Sequence, residues 1–370
     1  MKHILAFLTF VLGLVTTLQA EQRLFGRWAV ELIHPTVALE RYQTYRVGGL
    51  ERDGNFFYMA SPYGDLEKRS LTTGTKIWGI KLDAISQSGW AIDGKEIFGG
   101  DTNGNIYAID LEKGEIKWKA STKGVFFAKP IVSESTVWVM NSLGTLQAYN
   151  RNDGSWVWQQ TDPSISSASL WSAQGFSKLG NTIIAGFPSA LLQAIDATTG
   201  QVLWKESFSV LPSGTDTVND IKAISLSEDV LFASSFAGNM KAWSLKGGQR
   251  KILWEKQISL YSPASLDKDG TLYFSGKDGT LRACDAKTGF EKWKVELPSG
   301  LGTQASLGDD TVWIGTSRGQ VIVYSKEGKK LAETNDYESA IWNAPLLVDG
   351  NEAIVLTTQG ILRRLRLASL

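Results

Sequence analysis

The chain has 370 residues with 38 Lys+Arg against 38 Asp+Glu. Its net charge of zero argues against a nucleic-acid binder, which carries a basic excess or stripe. A hydrophobic content of 43% with 21% charged residues excludes a disordered chain. Two histidines, His3 and His34, and one cysteine, Cys284, leave no material for an intrachain disulfide or a Cys/His zinc cluster. Any His-dependent nucleophile would have to be built on His34, which reads as a loop residue beside Pro35.

In chain order, residues 1–20 read as a secretory signal. Lys2 is a short basic start, Ile4 to Val15 an almost wholly apolar stretch, and Ala20 a small residue at the cleavage position. The apolar stretch is short for a membrane span; an uncleaved anchor is the alternative. The first mature position holds Glu21 rather than a lipidated Cys, so no direct lipid anchor is expected.

From residue 64 one pattern recurs: Gly-x-apolar, seven residues, then Gly-x-x-x-Trp. Its starts lie at 64, 104, 144, 190, 238, 279, 319 and 360, at intervals of 40, 40, 46, 48, 41, 40 and 41. The copies close on Trp78, Trp118, Trp158, Trp204, Trp254 and Trp293. The fourth begins with Ala190, the fifth has two extra residues before its Trp, and the seventh has a shortened turn and no Trp. A fixed period near forty marks one supersecondary unit per repeat.

Each unit reads as four short strands. In the second these are 89–92, 96–99, 105–110 and 116–120, separated by Gly-containing turns. In Asp285-Ala-Lys-Thr-Gly289 the Asp can accept backbone N–H groups and the Gly can take the positive φ of a bulged hairpin. Small residues at Ala108, Ala148, Ala194, Ala242 and Ala283 leave room for the recurring Trp to pack between units. Cys284 reads as a small apolar residue in the same seams. The fold class is therefore all-β, an eight-bladed β-propeller of four-stranded blades forming one domain over 21–370. The eighth unit lacks a fourth strand before Leu370. Residues 24–33, with Gly26-Arg27-Trp28, are expected to complete it with 340–368 and close the ring.

The runs Asn105-Ile-Tyr-Ala-Ile-Asp…Trp118 and Gly279-Thr-Leu-Arg-Ala-Cys-Asp-Ala-Lys-Thr-Gly-Phe-Glu-Lys-Trp293 resemble the PQQ-like β-propeller repeat family. Eight repeats behind an export segment are most similar to the BamB-like propeller subunits of the bacterial outer-membrane β-barrel assembly machinery. That resemblance implies a non-catalytic periplasmic scaffold, monomeric, without cofactor, metal or nucleic acid, held at the outer membrane through a protein. The implied partner is the periplasmic part of the barrel-inserting subunit, met by loops on one face through a Leu-x-Leu-Arg stretch and an acidic pair. Here the stretch reads Ala168-Ser169-Leu170-Trp171, in which only Leu170 matches, and the acidic pair reduces to Asp220 with Val218. An exported propeller with another protein or cell-wall ligand remains an alternative. A PQQ-dependent dehydrogenase is the other, though that family uses two adjacent Cys and a longer chain.

Spacing alone points to a patch. The two long intervals place insertions at 161–171 and 207–220, after fourth strands and on one face of the disc. Pro163, Ile165, Leu170, Trp171, Val210, Leu211 and Pro212 are apolar residues on these loops, which suggests a partner surface. Leu170 and Trp171 can equally begin the next inner strand. Tyr63, Phe187 and Phe236 fall in second-to-third strand turns of the same face, extending the patch or packing locally. The expected partner-binding set is Leu170, Trp171, Val210, Leu211, Asp220, Phe187 and Phe236. Arg363, Arg364 and Arg366 read as a solvated edge, and Asp101, Asp278, Asp309 and Asp310 as turn residues.

Overall fold

The computed structural model describes residues 22–32, 48–161, 175–187, 190–207, 221–227, 229–235, 238–248, 250–334 and 339–369. Residues 1–20, the expected signal segment, lie outside them. Among the described residues, 32 strands form eight antiparallel sheets of four strands, the blades of an eight-bladed β-propeller. Blades 1 to 7 span 51–81, 91–121, 131–161, 176–207, 221–257, 265–296 and 306–333. Blade 8 joins Leu346–Asp349, Glu352–Leu356 and Ile361–Ser369 to the amino-terminal strand Gln22–Glu31.

First strands of successive blades lie against one another, so they form the inner ring. Serine hydroxyls tie that ring: Ser225 donates to the Ala264 carbonyl (3.1 Å) and Ser265 to that of Ala305 (2.7 Å). Second and third strands are covered by neighbouring blades on both faces. Glu96–Gly100 and Thr311–Gly315 are buried at every residue, which is why they carry apolar runs rather than alternation. Fourth strands face solvent on one side, and Glu291–Glu296 alternates accordingly.

In blade 2 the strands are Ala91–Asp93, Glu96–Gly100, Asn105–Asp110 and Ile116–Ser121, so the first begins two residues later than its turn signals imply. The displaced residues have other duties. Gly89 leaves room for Lys129, whose Cβ would stand 2.8 Å from an added methyl, and Trp90 is fully buried against Gly99.

The ring closes as expected. Gln22 pairs with Ser369 and Glu31 with Ile361, with one bulge between Gly26 and Trp28. Leu32 N–H then donates to the Gly360 carbonyl at 3.0 Å.

The repeated Gly and Trp meet across each seam. A Cβ added at Gly74, Gly114, Gly154, Gly200, Gly289 or Gly328 would stand 2.5–2.8 Å from the indole of the preceding blade's Trp. These six glycines also hold φ between +70° and +86°, a region an L side chain enters only with strain. The same indoles donate Nε1–H into the turn they cover. Trp78 reaches the Leu111 carbonyl (3.3 Å), Trp118 that of Arg151 (2.6 Å), Trp158 that of Ala197 (3.2 Å) and Trp293 that of Lys326 (2.7 Å). Trp28 of blade 8 reaches Leu71 of blade 1 at 3.4 Å, so the closing strand makes the same seam. The small alanines sit directly across the ladder from the indoles, as in Ala148↔Trp158 and Ala283↔Trp293. Where the fifth repeat lengthens its turn, the Arg250 guanidinium stacks on Trp204 instead, 4.1 Å from the ring centre.

Two expectations meet the structure differently. Cys284 is buried beside Leu272 and Phe274 in the blade 5–6 seam, as read. Arg364 is not on a solvated edge. The closing strand covers it, and it donates to Glu352 (2.6 Å) and to the Leu71 carbonyl (2.8 Å). Arg366, half-exposed, is the member that fits the original reading.

Candidate functional site: the connection face

Antiparallel order sends the first-to-second and third-to-fourth turns to one face of the disc. The second-to-third turns and the blade-to-blade connections emerge on the other, here the connection face. Thr161 and Ser207 end fourth strands at this face, and Phe176 and Ile221 begin the following first strands from it. The two long connections of the sequence therefore open side by side, between blades 3 and 4 and between blades 4 and 5. Leu170, Trp171, Val210, Leu211, Asp220 and Phe236 lie outside the described residues.

Phe187 is a correction. It lies at the connection face but is fully buried, packed with Met140, Leu146, Ile183 and Ala185 between blades 3 and 4. Its N–H donates to the Leu191 carbonyl (2.8 Å), and its own carbonyl accepts from Ile221 N–H (3.4 Å). Ile221 in turn fills the space above Gly186, where a Cβ would stand 2.4 Å from it. Phe187 thus fixes the far end of the second insertion rather than offering a contact. Tyr63 packs locally too, its hydroxyl donating to the Leu32 carbonyl at 2.9 Å.

The structure adds residues that spacing did not single out. In the connections, Phe126, Leu260, Gly302 and Ile341 each bridge to the residue just past the second strand of their own blade. In three of the four the next residue is aromatic: Phe127, Tyr261 and Trp342. The Tyr261 and Trp342 rings meet at 6.1 Å although they belong to connections two blades apart, and Trp342 stays 38% exposed. The sequence signal is an apolar-aromatic pair shortly before a proline, as in Phe126-Phe127-Ala-Lys-Pro130 and Ile341-Trp342-Asn-Ala-Pro345.

Lys129 and Glu51 form a 2.7 Å ion pair from blade 3's lead-in to blade 1's first strand. Burial pushes the Glu51 carboxyl up against the opposing pull of the Lys129 ammonium. Burial likewise holds the Lys277 ammonium below its ordinary range. Asp101, fully buried at a second-to-third turn, accepts from Asn103 N–H (2.9 Å), Asn105 Nδ2 (2.8 Å) and the Tyr107 hydroxyl (2.7 Å). Among the described residues, no group of three His, Cys, Asp or Glu side chains is placed to hold a metal ion.

An eight-bladed ring stapled by Trp-on-Gly seams, closed by its own amino-terminal strand and lengthened on one face, defines a propeller of the PQQ-like repeat class. The family model described as outer membrane protein assembly factor BamB matches residues 64–295 and 277–369, and the chain belongs to that family. A relative from Burkholderia pseudomallei, outer membrane protein assembly factor BamB, is 28% identical over 322 residues, covering 83% of this chain and 81% of that one. The crystal structure of BamB from Moraxella catarrhalis superposes with a TM-score of 0.76 at 18% identity, covering 93% of this chain and 99% of that one. Quinohemoprotein alcohol dehydrogenase from Comamonas testosteroni also superposes, with a TM-score of 0.75 at 14% identity, over 93% of this chain and 76% of that one. Likeness at that level is of fold only.

Proposed function

We propose that this chain is a non-catalytic periplasmic assembly factor for outer-membrane β-barrel proteins. It docks by its connection face on the periplasmic part of the barrel-inserting protein. The observation that carries the reading is membership of the BamB family over residues 64–369, together with relatives of that name aligned over four-fifths of both chains. The likeness to a quinohemoprotein dehydrogenase adds no enzymatic reading, because it reaches the fold alone. The two adjacent insertions favour the connection face as the docking side, since insertions in repeat proteins gather on the binding face. Leu170, Trp171, Val210, Leu211 and Asp220 are the proposed contacts.

The test is capture from detergent-solubilised envelopes of the source organism, with the tagged chain as bait. The barrel-inserting protein is expected with the unaltered chain and lost with a Leu170→Asp, Asp220→Arg bait. Recovery by both baits would move the contact elsewhere. Recovery by neither would remove the assembly role.

A further inference from the structure

Three successive connections differ in composition from the rest. Those into blades 6 and 7, residues 258–264 and 297–305, hold no ionisable side chain, and neither do residues 339–345 before blade 8. The connections into blades 2 and 3 carry Asp83, Lys123 and Lys129 instead. In place of charge, the three present a ring or a threonine and then a neutral hydrogen-bonding residue: Tyr261-Ser262, Thr303-Gln304 and Trp342-Asn343.

Leu260, Gly302 and Ile341 make the same bridge in their blades, so these three pairs are equivalent in the fold. The connections lead into the first strands, which form the inner ring, and so converge on the axis. That is how the rings of Tyr261 and Trp342, from blades 6 and 8, come to meet. Blade 7 puts no third ring between them. Thr303 is buried, its hydroxyl accepting from Gly315 N–H at 3.1 Å. Trp342 is exposed, and Tyr261, Gln304 and Asn343 are half-buried. Asn343 is oriented by donating from Nδ2 to the Gly48 carbonyl (3.0 Å). The hydroxyls of Ser262, Ser339 and Thr358 are buried and make no hydrogen bond. Thr358 stands opposite Ala340, its N–H on that carbonyl at 2.9 Å. Such hydroxyls carry the cost of lost hydration until a polar group reaches them.

We propose that this uncharged arc at the axial mouth binds a neutral pyranose chain, the chemistry of a cell-wall glycan backbone. The CH face of a sugar ring lies on Trp342 and Tyr261, whose flat apolar bodies suit it. Gln304 and Asn343 supply amide donors and acceptors for its hydroxyls. A few polar groups set against a flat aromatic wall is the make-up of a small-ligand site. No ionisable side chain of these connections answers a phosphate or a carboxylate, so the ligand is neutral. The site stands apart from the two insertions, which lead into blades 4 and 5, and does not rest on the docking reading.

The test is isothermal titration of the mature chain with chitotetraose and with maltotetraose. Saturable binding of at least one is expected. Chitotetraose alone identifies an N-acetylated cell-wall backbone as the source, and maltotetraose alone a plain glucan. Trp342→Ala is expected to weaken binding about tenfold or more, and Trp342→Phe, which keeps a ring, about threefold at most. Gln304→Leu, which alters no ring, should weaken it as well. All three variants should keep the wild-type melting temperature, since none removes a buried side chain. Binding of neither sugar by the wild type, or equal binding by Trp342→Ala, would overturn the proposal. If the wild type binds neither sugar and Trp342→Ala loses capture of the barrel-inserting protein, the rings serve that protein instead. If the wild type binds sugar and does not capture the barrel-inserting protein, the assembly reading fails and the sugar site stands.

Discussion

The repeating glycine carries two burdens at one position, and only one of them could be read in advance. Its place after Asp-x-x-x signals a positive φ. That the indole of the preceding blade lies on its Cα is a contact about forty residues away in sequence, which no local pattern encodes. The two burdens separate by mutation. Gly154→Ala meets φ +71° and Trp118 at 2.5 Å, whereas Gly180→Ala meets φ +56° and open space. Roughly 1–2 kcal/mol of loss is expected at Gly180 from backbone strain alone. About 2–4 kcal/mol is expected at Gly154, where the indole must also move. Urea unfolding of both variants measures the difference, and equal losses would deny the seam its packing role. Cys284 was legible as a small apolar core residue. Burial pushes its thiol from the ordinary 9.0 up to about 11, so it should resist an aromatic disulfide reagent at pH 8 until the chain unfolds. The sign of the pH effect follows. The unfolded thiol ionises first, so this group's share of stability is intact below pH 9.0 and is lost as pH rises toward about 11. Alkaline melting curves of wild type and Cys284→Ala, compared over that window, check it.

Strand for strand, second, third and fourth elements were readable because burial on two faces or one leaves distinct patterns. First strands were not, since in every blade but the fifth they hold only two to four residues, too few to show a period. Phe187 was missed for a related reason. One residue's shift moves a side chain between turn and core, and Gly186-Phe187 lies at that boundary. Phe187→Ala should therefore cost about 3–5 kcal/mol of stability, as a fully buried aromatic does. Elements are also clasped pairwise. Arg151, in the third-to-fourth turn of blade 3, pairs with Asp93 and Glu96 of blade 2 (Nε to Glu96 at 3.0 Å) and donates to the Asp93 carbonyl at 2.9 Å. Arg151→Met leaves the buried Glu96 with Lys117 as its remaining ion-pair partner, and a loss of about 3 kcal/mol is expected in denaturant unfolding. A neutral result would mean that Lys117 suffices.

For the molecule as a whole, the ring and its closure were written in the period and in the missing eighth fourth strand, because closure needs only a count. The proposed docking surface was legible as a place and not as a chemistry. Insertion length marks a face, but Tyr261 and Trp342 meet there only after the blades have turned the chain through a circle. Closure makes its own demand. A chain beginning at Leu32 strips the outer strand from blade 8 and uncovers Arg364 and the Gly74 seam, so its melting temperature should fall by roughly 10 °C or more. Unchanged melting would mean that seven complete blades hold the eighth without its fourth strand. The central claim concerns which face meets the barrel-inserting protein, and site-specific photocrosslinking in living cells addresses it directly. A photoreactive residue at Leu143 or Trp342, exposed on the connection face, should crosslink to the barrel-inserting protein, while one at Phe290, 70% exposed on the opposite face, should not. Crosslinks from Phe290 alone would contradict the account and turn the disc over.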